Sequence, residues 1–472
     1  MTLFAHYCAQ NTGRSFDSYE ALYRFSTDEF RTFWRLFLDW SNLSYSGDPA
    51  TVCTSEEVER AVFFPDIRLN YADILLSRTL CGEDLPAILS QHADGSQERL
   101  TRKELRERVD ACASGFKALG VGVGSRIAMI AFNDVHAAVA TLAAAALGAT
   151  VGASAPEMGV EASVARFAPL APQLLLCHWR TPSGDWDDAH RQRLLDIIHS
   201  LPSLRDVVLL DGAEQPKGLS LPCHAQSDFI AGHQGTSVDW PQLPFNHPLF
   251  VLFSSGTTGP PKAIVHGAGG TLLEHLKEHR LHCDLRGGDR LFYQTSTAWM
   301  MWNWQLTALA SGVELVLYDG PVNPDTLWKI VADKEVTIFG TSPAYLQMGA
   351  RSELVPGKTL DLPALRAILS TGSILYPEQQ QWVTDNVKDV PVLSISGGTD
   401  IIGCFVMCNP NLPVYAGEPQ CRVLGFDLDA LRLDAAGSSR VGELVCRKPF
   451  PSRPLGFLED PVGSRFHDAY FA

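Results

Sequence analysis

Leu252 to His266 reads LFSSGTTGPPKAIVH, and the reading of this stretch decides the fold. The apolar run Pro248 to Phe253 alternates too little for a half-exposed strand and predicts a buried one, and Ala263-Ile264-Val265 resumes a second strand after the turn. Between them lies a hairpin-like, glycine-rich loop. Gly256 and Gly259 admit positive φ and leave backbone N–H groups open, Ser254, Ser255, Thr257 and Thr258 add hydroxyl donors, and Lys262 adds a point charge. Such a lining suits a triphosphate. It is not the Walker pattern, because Gly259 is followed by Pro260-Pro261 and no Gly-Lys-Ser/Thr is present. Clusters of Ser, Thr and Gly are most often plain surface turns. Two flanking strands, a proline pair stiffening the exit and a lysine argue against that here.

Upstream, Thr101 and Glu104 form a capping box before a helix over Lys103 to Leu119, which Gly120 ends. Strands at Arg126–Ala131, Val151–Ala153 and Gln173–Cys177 alternate with helices at Val135–Leu147 and Val160–Ala168. This βαβαβ order predicts a parallel sheet covered on both faces. The glycines of Gly120-Val121-Gly122-Val123-Gly124 precede a strand instead of following one, so they are no dinucleotide fingerprint. From Trp179 to Pro244 the pattern loosens into a surface excursion with one strand, Val207–Leu210, and the phosphate loop is expected to open a second sheet. Beyond it, helices at Thr271–His282, Met300–Ser311 and Asp325–Lys334 alternate with strands at Arg290–Gln294, Glu314–Leu317 and Val336–Gly340. The expected class is α/β, with two doubly wound sheets. The expected division is a helical lead-in at 1–80, rich in aromatics from Tyr19 to Trp40, α/β subdomains at 81–245 and 246–410, and the start of a β subdomain at 411–472.

At 472 residues the chain is too long for one simple core. Its net charge of −15 argues against non-specific nucleic-acid binding and against an anionic membrane surface. Eleven cysteines without a Cys-x-x-Cys pair suit a reduced, cytosolic protein, and Cys404 and Cys408 read as core thiols before they read as a zinc site. Met1 to Thr12 shows no secretory signal, and the alanine-rich Ala137 to Ala149 reads as a buried helix.

Two further strand-end loops follow apolar runs, Ser370-Thr371-Gly372-Ser373 and Ser394-Ile395-Ser396-Gly397-Gly398-Thr399-Asp400. Open α/β sheets place ligands at such positions. The order SSGTTGPPK resembles the phosphate loop of the adenylate-forming superfamily. Leu69-Asn70-Tyr71-Ala72 resembles the acetyl-CoA and acetoacetyl-CoA synthetase branch, Thr297-Ala298-Trp299-Met300-Met301-Trp302-Asn303-Trp304 with Ser396-Gly397-Gly398-Thr399-Asp400 is similar to the acetoacetyl-CoA synthetases, and the likeness runs to Asp468-Ala469-Tyr470-Phe471. The resemblance implies an ATP-dependent ligase that forms an acyl-adenylate and transfers the acyl group to CoA, with acetoacetate, ATP and CoA as substrates and Mg²⁺ as cofactor.

The resemblance also implies residue roles. Ser254 to Gly259 and Lys262 would hold the β and γ phosphates, with Lys262 steadying the leaving pyrophosphate. Gly372, Ser373, Ser396, Gly397 and Gly398 would surround the adenine, Thr399 would touch the α-phosphate and Asp400 would bind the metal. Most of the family carries Glu after that Thr, so Asp400 is a departure that shortens the ligand by one methylene while keeping a hard oxygen. Trp299 is the expected wall of the acid pocket. Acetyl-CoA synthetases have a Trp where this chain has Gly397, which implies a deeper pocket, and Asn323 sits where relatives contact CoA. The family's later ribose-binding Asp, hinge and small C-terminal domain with its adenylation lysine do not occur before Ala472. This chain alone is therefore expected to adenylate poorly, since a charge contact of that kind is worth several kcal/mol. A non-catalytic binding fragment and a synthetase for another short acid remain as alternatives.

Overall fold

The computed structural model describes residues 1–78, 82–181, 187–212, 216–254, 261–431 and 441–472. Two large sheets organise them. The first runs in the order Gly456–Phe457, Lys262–Gly267, Pro248–Ser254, Thr150–Ser154, Arg126–Ile130, Leu174–Cys177, Asp206–Leu209 and Cys223–Ala225. Its first three strands pair antiparallel and the rest pair parallel. The second runs Val392–Ser394, Ala367–Ser370, Ile338–Thr341, Arg290–Tyr293, Glu314–Tyr318 and Pro86–Gln91, all parallel, and ends on the antiparallel edge strand Gln97–Thr101. Their strands are nearly all apolar and buried, as sheets covered on both faces require.

The phosphate-loop hairpin does not open the second sheet. It joins the first, where Phe250 and Val251 lie opposite Val151 and Gly152. Conversely, Pro86–Gln91 and Gln97–Thr101 belong to the second sheet although they precede the first in sequence. A cut near residue 245 therefore separates stretches of chain but not sheets. Sequential strands are neighbours only about two-thirds of the time, and an in-order reading misses this exchange.

The stretch from Trp179 to Pro244 is also more regular than its composition suggests. It holds the helices Asp188–His199 and Gln226–Gly232 and the edge strand Cys223–Ala225, besides the expected strand at Asp206–Leu209. Helix Asp188–His199 buries only His190, Leu194, Ile197 and Ile198, a stripe too narrow to stand out among polar neighbours. The capping box at Thr101 and Glu104 opens helix Arg102–Ala118 as expected. In the lead-in, helices Tyr19–Asp28 and Phe30–Ser41 break at Glu29 and pack on a further helix, Thr2–Thr12. Phe4 meets Phe33, Phe37 and Trp40 edge-on at 5.3 to 5.7 Å. Among the described residues no helix is long and apolar enough to cross a membrane.

The Leu-Asn-Tyr-Ala signature is structural. Asn70 caps helix Tyr71–Leu75 and donates to the carbonyls of Ala146 and Pro241, while the Tyr71 hydroxyl bonds Thr307 at 2.7 Å. A small antiparallel sheet of Ser396–Gly398, Gly403–Met407 and Cys421–Arg422 then stands beside the second sheet.

Candidate active site

Among the described candidates, Ser254 ends a strand, Gly372 and Ser373 follow one, Lys262 begins one and Ser396–Gly398 form one. Ser254 ends its strand directly opposite Lys262, which begins the return strand, so the pair forms the mouth of the loop. Ser255, Gly256, Thr257, Thr258 and Gly259 lie outside the described residues. The Lys262 ammonium sits 4.9 Å over the ring of Tyr470, in helix Ser464–Tyr470. The same tyrosine donates its hydroxyl to Oδ1 of Asp400. Asp400 lies in the tight turn Thr399–Ile401, and its Oδ2 is over Gly398, 3.6 Å from where a Cβ there would be. The sequence-stretch candidates Lys262 and Asp400, 138 positions apart in number, thus meet at one side chain. Tyr470 itself carried no signal beyond its place in a family-like stretch.

The second wall comes from the other sheet. Ser370 pairs with Ser394, and the Ile395 N–H donates to the Ser370 carbonyl at 2.9 Å, which sets the loop of Gly372 and Ser373 beside that of Ser396 to Gly398. Gly372 has φ +99°, a left-handed conformation that favours glycine, and the indole of Trp299 lies 3.8 Å from its would-be Cβ. Of the three tryptophans in the run, Trp302 and Trp304 are fully buried in the core and only Trp299 is half-exposed. A cavity of about 120 Å³ opens between the two sheets nearby, lined by Asn133, Glu157, Thr295, Ser296 and Asp319. A wider depression of about 630 Å³ near Arg108, His136 and Asp211 contains none of the candidates.

Gly397 requires a correction. A Cβ on it would lie 2.0 Å from the Gly403 carbonyl oxygen and 2.4 Å from the Cys404 Cα. The glycine answers to this close approach of two backbones, so a pocket deepened by a missing side chain does not follow from it. Asn323 lies exposed in a turn, its carbonyl accepting from Thr326 N–H, with no described partner for its side chain.

Two features escaped the sequence reading. At the rim of the small cavity, His92 Nδ1 bonds Asp319 at 2.7 Å, and nearby His178 Nε2 bonds Asp134 at 2.9 Å. The hydrogen bond to Asp319 raises the His92 pKa, and His178 is raised despite burial because Asp134 faces it. Behind the metal turn, helix Ala268–Lys277 and its continuation Glu278–His282 bury a set of acids, bases and histidines with no precedent in an apolar stripe. No periodicity announces a buried polar helix.

A family model described as AMP-binding enzyme matches residues 81–453. Acetoacetyl-coenzyme A synthetase of Rhizobium meliloti (strain 1021) is 40% identical over 488 aligned positions, covering 100% of this chain and 73% of the relative. The acetoacetyl-CoA synthetase of Gallus gallus is 37% identical, again over 100% of this chain and 73% of its own length. The chain belongs to the acetoacetyl-CoA synthetase family of AMP-binding enzymes. The structure agrees with that membership. An acetoacetyl-CoA synthetase from Streptomyces lividans superposes with a TM-score of 0.92 at 38% identity, covering 100% of this chain and 74% of that one.

Proposed function

We propose that this chain activates acetoacetate with ATP, forming acetoacetyl-AMP and releasing pyrophosphate, and then passes the acyl group to CoA with loss of AMP. The observation that carries this reading is the convergence of Lys262 and Asp400 on Tyr470, in a chain that aligns over its whole length with acetoacetyl-CoA synthetases. In the first step the acid's carboxylate attacks the α-phosphorus and the bond to pyrophosphate breaks, so charge grows on the bridging oxygens. Ser254 to Gly259 and Lys262 hold that charge, Thr399 contacts the α-phosphate, and Gly372, Ser373 and Ser396 to Gly398 enclose the adenine. Trp299 holds the acyl chain. Asn323 is assigned to CoA on resemblance alone.

Asp400 fits a magnesium ion. It offers a half-buried hard oxygen at a strand end near a lysine, with Oδ2 facing Gly398 while Oδ1 is held by Tyr470. Bound there, Mg²⁺ supplies neutralisation of the phosphate oxygens. A reducing compartment, the cytosol, suits ten described cysteines that are all free thiols. Incubating the chain with ATP, Mg²⁺, CoA and acetoacetate should yield acetoacetyl-CoA detectable by mass spectrometry. Formation of another acyl-CoA from a different short acid, with none from acetoacetate, would contradict the assignment.

A further inference from the structure

The helix behind the metal turn buries groups that a helix avoids burying without cause. Glu274, His275, Lys277, Glu278 and His279 are all 0% exposed. Lys277 Nζ reaches both oxygens of Glu274 at 2.9 Å, which accounts for that pair. Glu278 touches that pair through Glu274, and both of its oxygens also reach beyond it. Its Oε1 accepts the backbone N–H of Cys404 at 2.6 Å, and its Oε2 accepts the indole N–H of Trp304 at 2.7 Å. Cys404 lies in the strand that leaves the turn of Thr399 and Asp400, whereas Trp304 lies in helix Met300–Thr307, whose N-cap residue is Trp299. One carboxylate therefore joins the acid-side helix to the metal-side turn. Gly403 makes the approach possible, because a Cβ there would stand 2.7 Å from Glu274 Oε1 and 3.0 Å from Glu278 Oε1. His275 adds a second tie, its Nε2–H donating to the Ile402 carbonyl at 2.7 Å.

A buried acid is a poor way to gain stability, since replacing such groups by apolar ones is often neutral or better. Two divergent hydrogen bonds from one carboxylate do something an apolar residue cannot, which is to fix the separation of two backbones. We propose that Glu278 is a positioning residue that locks the Trp299-bearing helix to the Asp400-bearing turn, so that the acid site and the Mg²⁺·ATP site form in one register. This rests on the functional reading above for the names of the two sites.

The test uses Glu278→Gln, which keeps the shape but turns an amide N–H₂ toward one of the two donors. Mg²⁺·ATP binding by calorimetry, the KM for acetoacetate in pyrophosphate release, and thermal unfolding are measured together. The folded variant should bind Mg²⁺·ATP roughly tenfold more weakly and show a raised acid KM. Trp304→Phe, changed on the acid side only, should weaken Mg²⁺·ATP in the same direction, and the double variant should lose less than the sum of the two. Wild-type nucleotide affinity and acid KM in a folded Glu278→Gln, or strict additivity, would overturn the proposal. Should Glu278→Gln not fold, Trp304→Phe decides: unaltered Mg²⁺·ATP affinity overturns it. Because nucleotide binding does not depend on the acid's identity, a wild-type chain that binds Mg²⁺·ATP yet ignores acetoacetate fails the functional reading and leaves this one standing.

Discussion

Tyr470 occupies the space between the two charges proposed above to serve adenylation, with its hydroxyl on Asp400 and its ring under Lys262. A metal ion drawn to Asp400 competes with that hydroxyl for Oδ1. Tyr470→Phe should therefore strengthen Mg²⁺·ATP binding by a few-fold, on the scale of one hydrogen bond to a charged group, and calorimetry with and without Mg²⁺ checks this. Gly397 makes a different prediction. Gly397→Ala forces a methyl onto the Gly403 carbonyl, which is backbone and cannot rotate away, so the variant should lose about 1–3 kcal/mol in denaturant unfolding. A pocket-deepening role for Gly397 would instead leave stability alone and shift the choice of acid. That Ser254 and the Gly372-Ser373 loop stand at strand ends was legible in the sequence, because an apolar run precedes each. What Gly397 faces was not, because the approach of two backbones leaves no mark on composition.

At the scale of elements, helix Ala268–Lys277 with its extension Glu278–His282 governs the response to acid. Burial lowers His275 and His282 to about 3, lowers His279 well below its usual range, and lowers His266, on the preceding strand, to about 3. His282 shows why: Nδ1–H donates to the Cys408 carbonyl while Nε2 accepts from Leu424 N–H, a geometry only the neutral ring can satisfy. Each of these histidines has a folded pKa below its unfolded value, so between about 6.5 and 3 the unfolded chain binds the extra protons. Stability is present above pH 6.5 and falls as pH drops through that window, by up to about 1.4 kcal/mol per pH unit for each histidine. His92 and His178, whose pKa values are raised, add nothing to the slope below 6.5, since they are protonated there in both states. Burial raises Glu274 and Glu278 on the same helix, and their extra folded-state protons act in the opposite sense, so the unfolding midpoint should fall from pH 6.5 to 5 less steeply than four histidines alone imply, and His282→Asn should flatten that slope further. The helix itself was readable as Thr271–His282, but its burial was not, because polar residues in a helix ordinarily mark the solvent side.

For the whole molecule, alternating strands and helices announced two covered parallel sheets, and both are present. Their membership was hidden. Register between Phe250 and Val151, or between Leu315 and Ile88, depends on which edges meet in space, and local periodicity carries no such information. The exchange places the hairpin of Ser254 and Lys262 on one sheet and Trp299, Gly372 and Asp400 on or beyond the other, which bears on the proposed function. On the proposed function substrate should bridge the sheets, and Trp299→Ala should raise the KM for the acid about tenfold while leaving nucleotide affinity near wild type, as loss of an aromatic contact implies. The most direct test of the central claim is pyrophosphate release with ATP and Mg²⁺, acetoacetate run beside acetate, and each repeated with Asp400→Ala. Release with acetoacetate well above acetate, abolished in the variant, is the predicted result. Equal release with both acids, or release untouched by Asp400→Ala, would contradict it.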